Sequence, residues 1–115
     1  GLHYQDSAWG QAKLIRCIRG EIFDVVVHLA TRQVTTIRLA AKDNLMFFVP
    51  RGFAHGYQTL VDNTTVTYRV SAPYNKFQER GLRYNDPALA ITWPITPAFT
   101  NIRDAEWPLL TEAAI

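Results

Sequence analysis

The chain has 115 residues, 48% of them hydrophobic, and its 12 basic and 10 acidic residues leave a net charge of +2. This length allows one domain with a modest core, so we predict a single domain over residues 1–115. The charges are scattered, which argues against a nucleic-acid-binding surface or an electrostatic membrane patch. No apolar run approaches the roughly 18 residues that span a bilayer, and no signal-peptide pattern is present. The one cysteine, Cys17, cannot form an internal disulfide, so we expect a soluble, cytoplasmic protein.

Short segments rich in β-branched and aromatic residues follow one another along most of the chain. Turn-forming residues separate them, as in Arg19-Gly20 and Val61-Asp62-Asn63. We predict strands over residues 13–18, 21–29, 34–39, 45–49, 53–60 and 64–70. This spacing is typical of an all-β sandwich or barrel. After Val70 the chain turns irregular and rich in proline, and only residues 101–114 have a helical composition, which Pro108 interrupts.

One predicted strand, EIFDVVVHL, is apolar on both of its faces. Strand alternation places Ile22 and Val26 on one face and a larger set on the other: Phe23, Val25, Val27 and Leu29. A sheet that is apolar on both faces needs cover on both. We therefore expect a second sheet on the inner side and a partner subunit on the outer side.

Three polar side chains fall on strand faces that are otherwise apolar. Tyr68 shares a face with Val66 and Val70, His55 with Phe53 and Tyr57, and Lys13 with Ile15 and Cys17. Such groups are costly inside a barrel unless they meet water, each other or a ligand. Singly, each also has a structural explanation, as a hydrogen-bonded histidine, a tyrosine with its hydroxyl at the rim, or a lysine that reaches solvent.

Other kinds of site have little support in the sequence. The three histidines, His3, His28 and His55, are widely separated and form no His-x-His pair, so a metal site is not favoured. We expect His28, at a strand end, to be a surface or structural residue. No G-x-S-x-G elbow and no glycine-rich phosphate loop occur.

Four blocks of sequence together resemble one known family. They are GLHYQ, QAKLIRCIRGEIFDVVV, FFVPRGFAHGYQTL and ERGLRYNDPALAITWP, and in this order they resemble the dTDP-4-dehydrorhamnose 3,5-epimerases over nearly the whole chain. The resemblance implies a cupin-type jelly-roll barrel with a short irregular or helical C-terminal segment, and a homodimer. It also implies that GLHYQ is a strand from the middle of a longer protein, so that the chain lacks the family's N-terminal segment, part of which binds the nucleotide.

The resemblance further implies a reaction on a nucleotide-linked sugar. The family epimerises dTDP-4-dehydro-6-deoxyglucose at C3 and C5, giving dTDP-4-dehydrorhamnose in the pathway to dTDP-L-rhamnose. No metal and no organic cofactor is implied, because the ketone at C4 already acidifies both neighbouring carbons.

Epimerisation beside a ketone needs a base, a group that stabilises the enolate and an acid on the opposite face. By resemblance, His3 matches the base and Asp104 the aspartate that supports it. Imidazole suits this role because its ordinary pKa of about 6.5 leaves much of it neutral near pH 7. Tyr68 matches the proton donor, and Lys13 the lysine beside the enolate. His55 and Tyr74 match residues that position the substrate. Arg16 and Glu79 match substrate-binding residues too, as contacts or as loop supports.

Two alternatives stay open from the sequence. One is a relative on the same scaffold that acts at a single carbon, or a ketoisomerase of another deoxysugar pathway. The presence of both His3 and Tyr68 favours epimerisation over isomerisation but does not distinguish one carbon from two. The other is a non-catalytic sugar-nucleotide-binding jelly roll, and the retention of Lys13 and Asp104 beside these two residues argues against it.

Overall fold

The structure, a computed structural model, describes residues 1–97 and 102–111. Strands dominate this part of the chain: β1 (Leu2–Gln5), β2 (Lys13–Arg19), β3 (Glu21–His28), β4 (Val34–Ala40), β5 (Phe47–Val49), β6 (Phe53–Thr59), β7 (Thr65–Val70) and β8 (Glu79–Leu82). Single 3-10 turns lie at Ser7–Trp9 and Ala41–Asp43, and one short helix, α1, spans Ile102–Ala105. No helix in the described ranges is both long and apolar enough to cross a membrane.

The strands form two antiparallel sheets, and the all-β prediction is confirmed. One sheet has five strands in the order β4-β3-β6-β1-β8, and the other has three in the order β5-β2-β7. Between them lies a buried cluster drawn from both sheets: Ile15, Cys17, Ile22, Val26, Leu39 and Val49. The second sheet expected on the inner side of β3 is therefore present.

Six of the strands lie within two residues of their predicted ends, and β1 forms where GLHYQ was expected to be extended. The prediction of irregular structure after Val70 is wrong at β8. The sequence of β8, ERGL, has no β-branched or aromatic residue and carries a glycine, so it lacks strand propensity. It becomes a strand because it pairs with β1, with Leu2 opposite Leu82 and His3 opposite Gly81.

The outer face of the five-stranded sheet is covered by the chain itself, where a partner subunit was expected. Buried side chains of the sheet, among them Val25, Val27 and Leu82, form one cluster with Leu89 and Leu110 from the C-terminal segment. Asp86 holds this segment in place, because its Oδ2 accepts a hydrogen bond of 2.7 Å from the backbone N–H of Leu110. The sequence did not predict that this segment covers the sheet, because its apolar residues follow neither a strand period nor a helix period.

Strand register brings the polar residues singled out in the sequence to one place. His55 of β6 lies opposite His3 of β1 on one side and Val26 of β3 on the other, so all three share the inner face of the five-stranded sheet. In the facing sheet, Tyr68 of β7 lies opposite Ile15, which shares its face with Lys13. The predicted alternation of Lys13, His55 and Tyr68 is confirmed.

The covering role of the C-terminal segment can be tested by Leu89→Ala. Leu89 is buried against the sheet, so we expect a loss of about 2–5 kcal/mol in the free energy of unfolding, measured by denaturant titration. The control is Val61→Ala, at a side chain that is 50% exposed in the turn after β6, where we expect a change within about 0.5 kcal/mol. Equal, small effects of the two changes would show that the segment does not pack on the sheet.

Candidate active site

A pocket of about 470 Å³ opens between the two sheets. Strands β1 and β6 supply one wall, β2 and β7 the facing wall, and β8 and α1 close one side. Seven of the eight residues singled out by resemblance line it: His3, Lys13, His55, Tyr68, Tyr74, Glu79 and Asp104. Residues from opposite ends of the chain therefore meet in one cavity.

His3 lies between two carboxylates. Its Nδ1 is 2.7 Å from Oε1 of Glu79, and its Nε2 is 2.7 Å from Oδ1 of Asp104. An ionised carboxylate only accepts hydrogen bonds, so an imidazole nitrogen that carries a proton donates it to the facing carboxylate. Each imidazole nitrogen is therefore occupied by a carboxylate, and the ring can accept a proton from a substrate only when one of the two carboxylates withdraws.

Both carboxylates are held in their ionised form by their neighbours. Burial alone would raise the pKa of Glu79, but hydrogen bonds from Tyr74 and His3 and the nearby charge of Arg103 bring it below its usual value. Burial would likewise raise the pKa of Asp104, but the hydrogen bond from Trp107 and the charge of His3 lower it. The two carboxylates are therefore negatively charged at neutral pH.

The partners of Glu79 come from two different elements. The hydroxyl of Tyr74 donates to its Oε2 over 2.7 Å, and the guanidinium of Arg103, on α1, lies 2.8 Å from the same atom. Gln5 of β1 positions the loop that carries Tyr74, because its Oε1 accepts from the backbone N–H of Asn75 over 2.7 Å. The hydrogen bond to Glu79 and the position of this loop together place the Tyr74 side chain in the pocket wall.

Lys13 faces the histidines from the opposite sheet, on β2. Burial lowers the pKa of its amine, while the negative charges of Asp24 and Glu79 act in the opposite direction and only partly offset it. In its charged form the lysine is a cation in a partly dehydrated site, where its interaction with an oxygen that gains negative charge is stronger than in water.

A second histidine and carboxylate pair lies deeper in the site. Asp24 is fully buried, and its Oδ1 is 2.6 Å from Nε2 of His55. The two groups are close enough for a strong charge contact, although their alignment departs from that of a regular hydrogen bond. Sequence reasoning missed Asp24, yet a signal was there, because a carboxylate between Ile22 and Val26 on the inward face of a strand needs a buried partner.

Two tyrosines stand side by side at the mouth of the pocket. Tyr68, on β7, is 56% exposed, and Tyr57, on β6, shares its face with His55. Burial raises the pKa of Tyr57, and the neighbouring Tyr68 and Asp24 add to the effect. Tyr57 was placed on this face by its alternation with His55, but no role had been assigned to it.

Arg16 is the one residue in the predicted set that does not line the pocket. It lies on β2 at the position where alternation turns the side chain away from Lys13 and Ile15, onto the outer face of the three-stranded sheet. There its guanidinium donates to Oδ1 of Asn44 over 3.1 Å. The prediction of a substrate contact does not fit this chain's pocket, whereas support of a loop fits the observed hydrogen bond.

His28 has the structural surroundings expected of it. Its Nδ1 accepts a hydrogen bond of 3.2 Å from the backbone N–H of Thr31, and its ring meets Phe53 edge to face. Within residues 1–97 and 102–111, no group of three or more His, Cys, Asp or Glu side chains is arranged to hold a metal ion.

Comparison with known proteins connects this geometry to a family. The model of the family described as dTDP-4-dehydrorhamnose 3,5-epimerase matches residues 1–112. A dTDP-4-dehydrorhamnose 3,5-epimerase from Sinorhizobium fredii is 38% identical over 121 residues, covering 100% of this chain and 62% of its own length. A dTDP-4-dehydrorhamnose 3-epimerase from Streptomyces niveus is 36% identical over 118 residues, covering 98% of this chain and 57% of its own.

Solved structures show the same fold. The crystal structure of dTDP-4-dehydrorhamnose 3,5-epimerase from Bacillus anthracis, with TDP and pyrophosphate bound, superposes with a TM-score of 0.92 at 39% identity. The match covers 96% of this chain and 66% of that one. The present chain thus spans about three fifths of the length of its curated relatives. By its sequence, its cupin-type jelly roll and its pocket, this chain belongs to the dTDP-4-dehydrorhamnose 3,5-epimerase family.

Proposed function

We propose that the protein epimerises a dTDP-linked 4-keto-6-deoxyhexose at C3 and C5, converting dTDP-4-dehydro-6-deoxyglucose to dTDP-4-dehydrorhamnose in dTDP-L-rhamnose biosynthesis. One observation carries the proposal: His3, between two ionised carboxylates, faces Lys13 and Tyr68 across a pocket of about 470 Å³. The pocket has the volume of an ordinary small-molecule site. Base, cation and acid are the three groups that proton exchange beside a ketone requires.

The first step is removal of a proton from the carbon beside the ketone. Glu79 is the carboxylate suited to withdraw from His3, because Tyr74 and Arg103 already satisfy its other oxygen. Substrate entering at Glu79 frees Nδ1 from that carboxylate, and in its unprotonated form this nitrogen takes the proton from the sugar carbon. Asp104 stays on Nε2 and stabilises the positive charge that the ring gains.

The electron pair left on the carbon moves onto the ketone oxygen as an enolate. Lys13 is the cation placed to stabilise that oxygen, and His55, held by Asp24, supplies a second polar group on the same side of the pocket. Tyr68, on the facing sheet, then returns a proton to the opposite face of the carbon. The tyrosinate regains a proton from water, and His3 loses its proton to water, so the net reaction only inverts the carbon. No metal and no organic cofactor enters these steps.

A second candidate is epimerisation at C3 alone. The relative from Streptomyces niveus named as a 3-epimerase is nearly as similar to this chain as the 3,5-epimerase from Sinorhizobium fredii. The same base and acid serve either reaction, and the difference lies in whether the sugar turns to present C5 after C3. The number of carbons that exchange with solvent therefore separates the two candidates.

The central experiment incubates the protein with dTDP-4-dehydro-6-deoxyglucose in deuterated water and follows C3 and C5 by NMR. Exchange at both carbons supports the 3,5-epimerase, exchange at C3 alone supports the second candidate, and no exchange contradicts both.

We expect His3→Asn to abolish exchange at every position, because the amide cannot accept the proton. Tyr68→Phe should reduce epimer formation by about a hundredfold or more while reducing deuterium uptake less. His3→Asn with wild-type exchange would overturn the assignment of the base.

The role of Lys13 predicts a specific pH dependence. Because burial lowers the pKa of Lys13, its stabilising charge disappears as pH rises through a value below the usual lysine range. We expect kcat/KM to fall on the alkaline side at that pH, and Lys13→Arg to move this fall to higher pH at a reduced maximum, since a guanidinium stays charged. The measurement is the pH profile of kcat/KM for both proteins. An unchanged alkaline limb in Lys13→Arg would assign the titration to another group.

We also propose that the protein forms a homodimer, as the family resemblance implies. Exposed apolar side chains gather before and on β5, at the outer edge of the three-stranded sheet: Leu45, Met46 and Phe48. A second copy seated there would bury them. We expect sedimentation equilibrium to give twice the mass of one chain, and Phe48→Asp to weaken the dimer, whereas Val61→Asp, in the exposed turn after β6, should not. A monomer at micromolar concentration would contradict this proposal.

The cytoplasmic location stays a prediction from the sequence.

A further inference from the structure

We infer that Trp107 is a positioning residue of this site, whose indole N–H fixes Asp104 on the Nε2 side of His3. The inference rests on the proposed function for its catalytic consequence, while the contact itself can be observed without substrate. Nothing in the family chemistry outlined above uses this side chain.

Trp107 bonds the same oxygen that binds the base. Its Nε1–H donates to Oδ1 of Asp104 over 3.0 Å, and that oxygen is also 2.7 Å from Nε2 of His3. The indole also meets the imidazole directly, with ring centroids 6.0 Å apart and planes at 77°, an edge-to-face contact. One side chain therefore constrains both members of the pair, Asp104 by a hydrogen bond and His3 by its ring.

The short helix that carries Asp104 needs such support. Helix α1 has four residues, Ile102–Ala105, and a helix of that length is not stable by itself. Trp107 lies two residues beyond the end of the helix, and its carbonyl accepts a hydrogen bond from the guanidinium of Arg83, just beyond β8. The ring is further packed by the guanidinium of Arg103, 5.0 Å from its centroid. The indole thus helps to hold α1 on the sheet, together with the contact of Asp104 with His3 and the ion pair of Arg103 with Glu79.

The sheet has a space shaped for this ring. Gly81 of β8 lies directly opposite His3 in the strand register and is buried. A Cβ atom at this position would overlap the Cε2 and Nε1 atoms of Trp107. Because glycine has no Cβ atom, position 81 leaves room for the indole beside His3. This gives a structural reason for a glycine inside a strand.

The hydrogen bond has an electrostatic consequence as well. The donated N–H stabilises the carboxylate form of Asp104, and among the groups that lower the pKa of Asp104 it is the strongest. An ionised Asp104 is what the imidazolium formed during proton removal requires. Trp107 therefore acts through Asp104, and its removal should slow proton abstraction more than it weakens substrate binding.

The test compares Trp107→Phe with Trp93→Phe. The control makes the same chemical change at an indole whose N–H donates to the backbone carbonyl of Tyr84 over 2.9 Å, with Trp93 absent from the pocket lining. We expect Trp107→Phe to lower kcat and deuterium uptake together by about tenfold to a hundredfold, with KM changed less than about twofold. Trp93→Phe should leave all three unchanged. Equal kinetics of the two variants would overturn the inference.

A double-mutant cycle with Asp104→Asn tests the route of the effect. If Trp107 acts through Asp104, adding Trp107→Phe to Asp104→Asn should cost little further activity, because the shared contact is already lost. Additive losses would mean that Trp107 acts by another route and would contradict the inference.

If Trp107→Phe does not fold, site-specific replacement by benzothienylalanine removes the N–H and keeps the ring shape. The same kinetic loss is expected there, and unchanged kinetics would count against the inference.

A spectroscopic readout keeps this inference separate from the proposed function. In the substrate-free protein, we expect a downfield Nε2 proton resonance of His3 that disappears or moves upfield in Trp107→Phe and persists in Trp93→Phe. If the wild-type protein shows no deuterium exchange, the proposed function fails, and this resonance still decides whether Trp107 holds the pair. A His3 resonance identical in all three proteins would overturn the inference whatever the activity.

Discussion

The contact between His3 and its two carboxylates is the interaction on which the arrangement of the site depends. Glu79 and Asp104 follow His3 by 76 and 101 residues, so the contact exists only after the chain has closed on itself. Three separate elements must meet: β1 with the imidazole, β8 with one carboxylate and α1 with the other. The polar partners also compensate the removal of these charged groups from water, which would otherwise be unfavourable.

This dependence explains which parts of the molecule could be predicted. Local alternation sufficed for Lys13, His55 and Tyr68, because a strand has a period of two and each of these residues lies within a strongly patterned segment. The all-β fold followed from the same patterns. Resemblance added His3, Asp104 and the roles, which no spacing in the sequence could have supplied.

The parts that escaped prediction share a physical cause. β8 is a strand only because β1 pairs with it, and the C-terminal segment covers the sheet with apolar residues that have no regular period. Asp24 interrupts the apolar inward face of β3, and its partner, His55, lies on another strand. The hydrogen bond from Trp107 to Asp104 spans only three residues, but the ring is placed by His3 and Gly81, which lie on two distant strands. Each of these features is set by long-range contacts that override local propensity.

The two carboxylates beside His3 are held in different ways, and the difference bears on how the base is freed. Asp104 receives a directional hydrogen bond from Trp107, whose ring is confined by Gly81 and Arg103, so little rotation is open to it. Glu79 instead binds a tyrosine hydroxyl and an exposed guanidinium, long side chains that can follow it or bond to a substrate in its place. A bound sugar therefore meets less resistance on the Glu79 side. This difference means that Nδ1 of His3 is the nitrogen freed for the substrate, while Asp104 remains bound to Nε2.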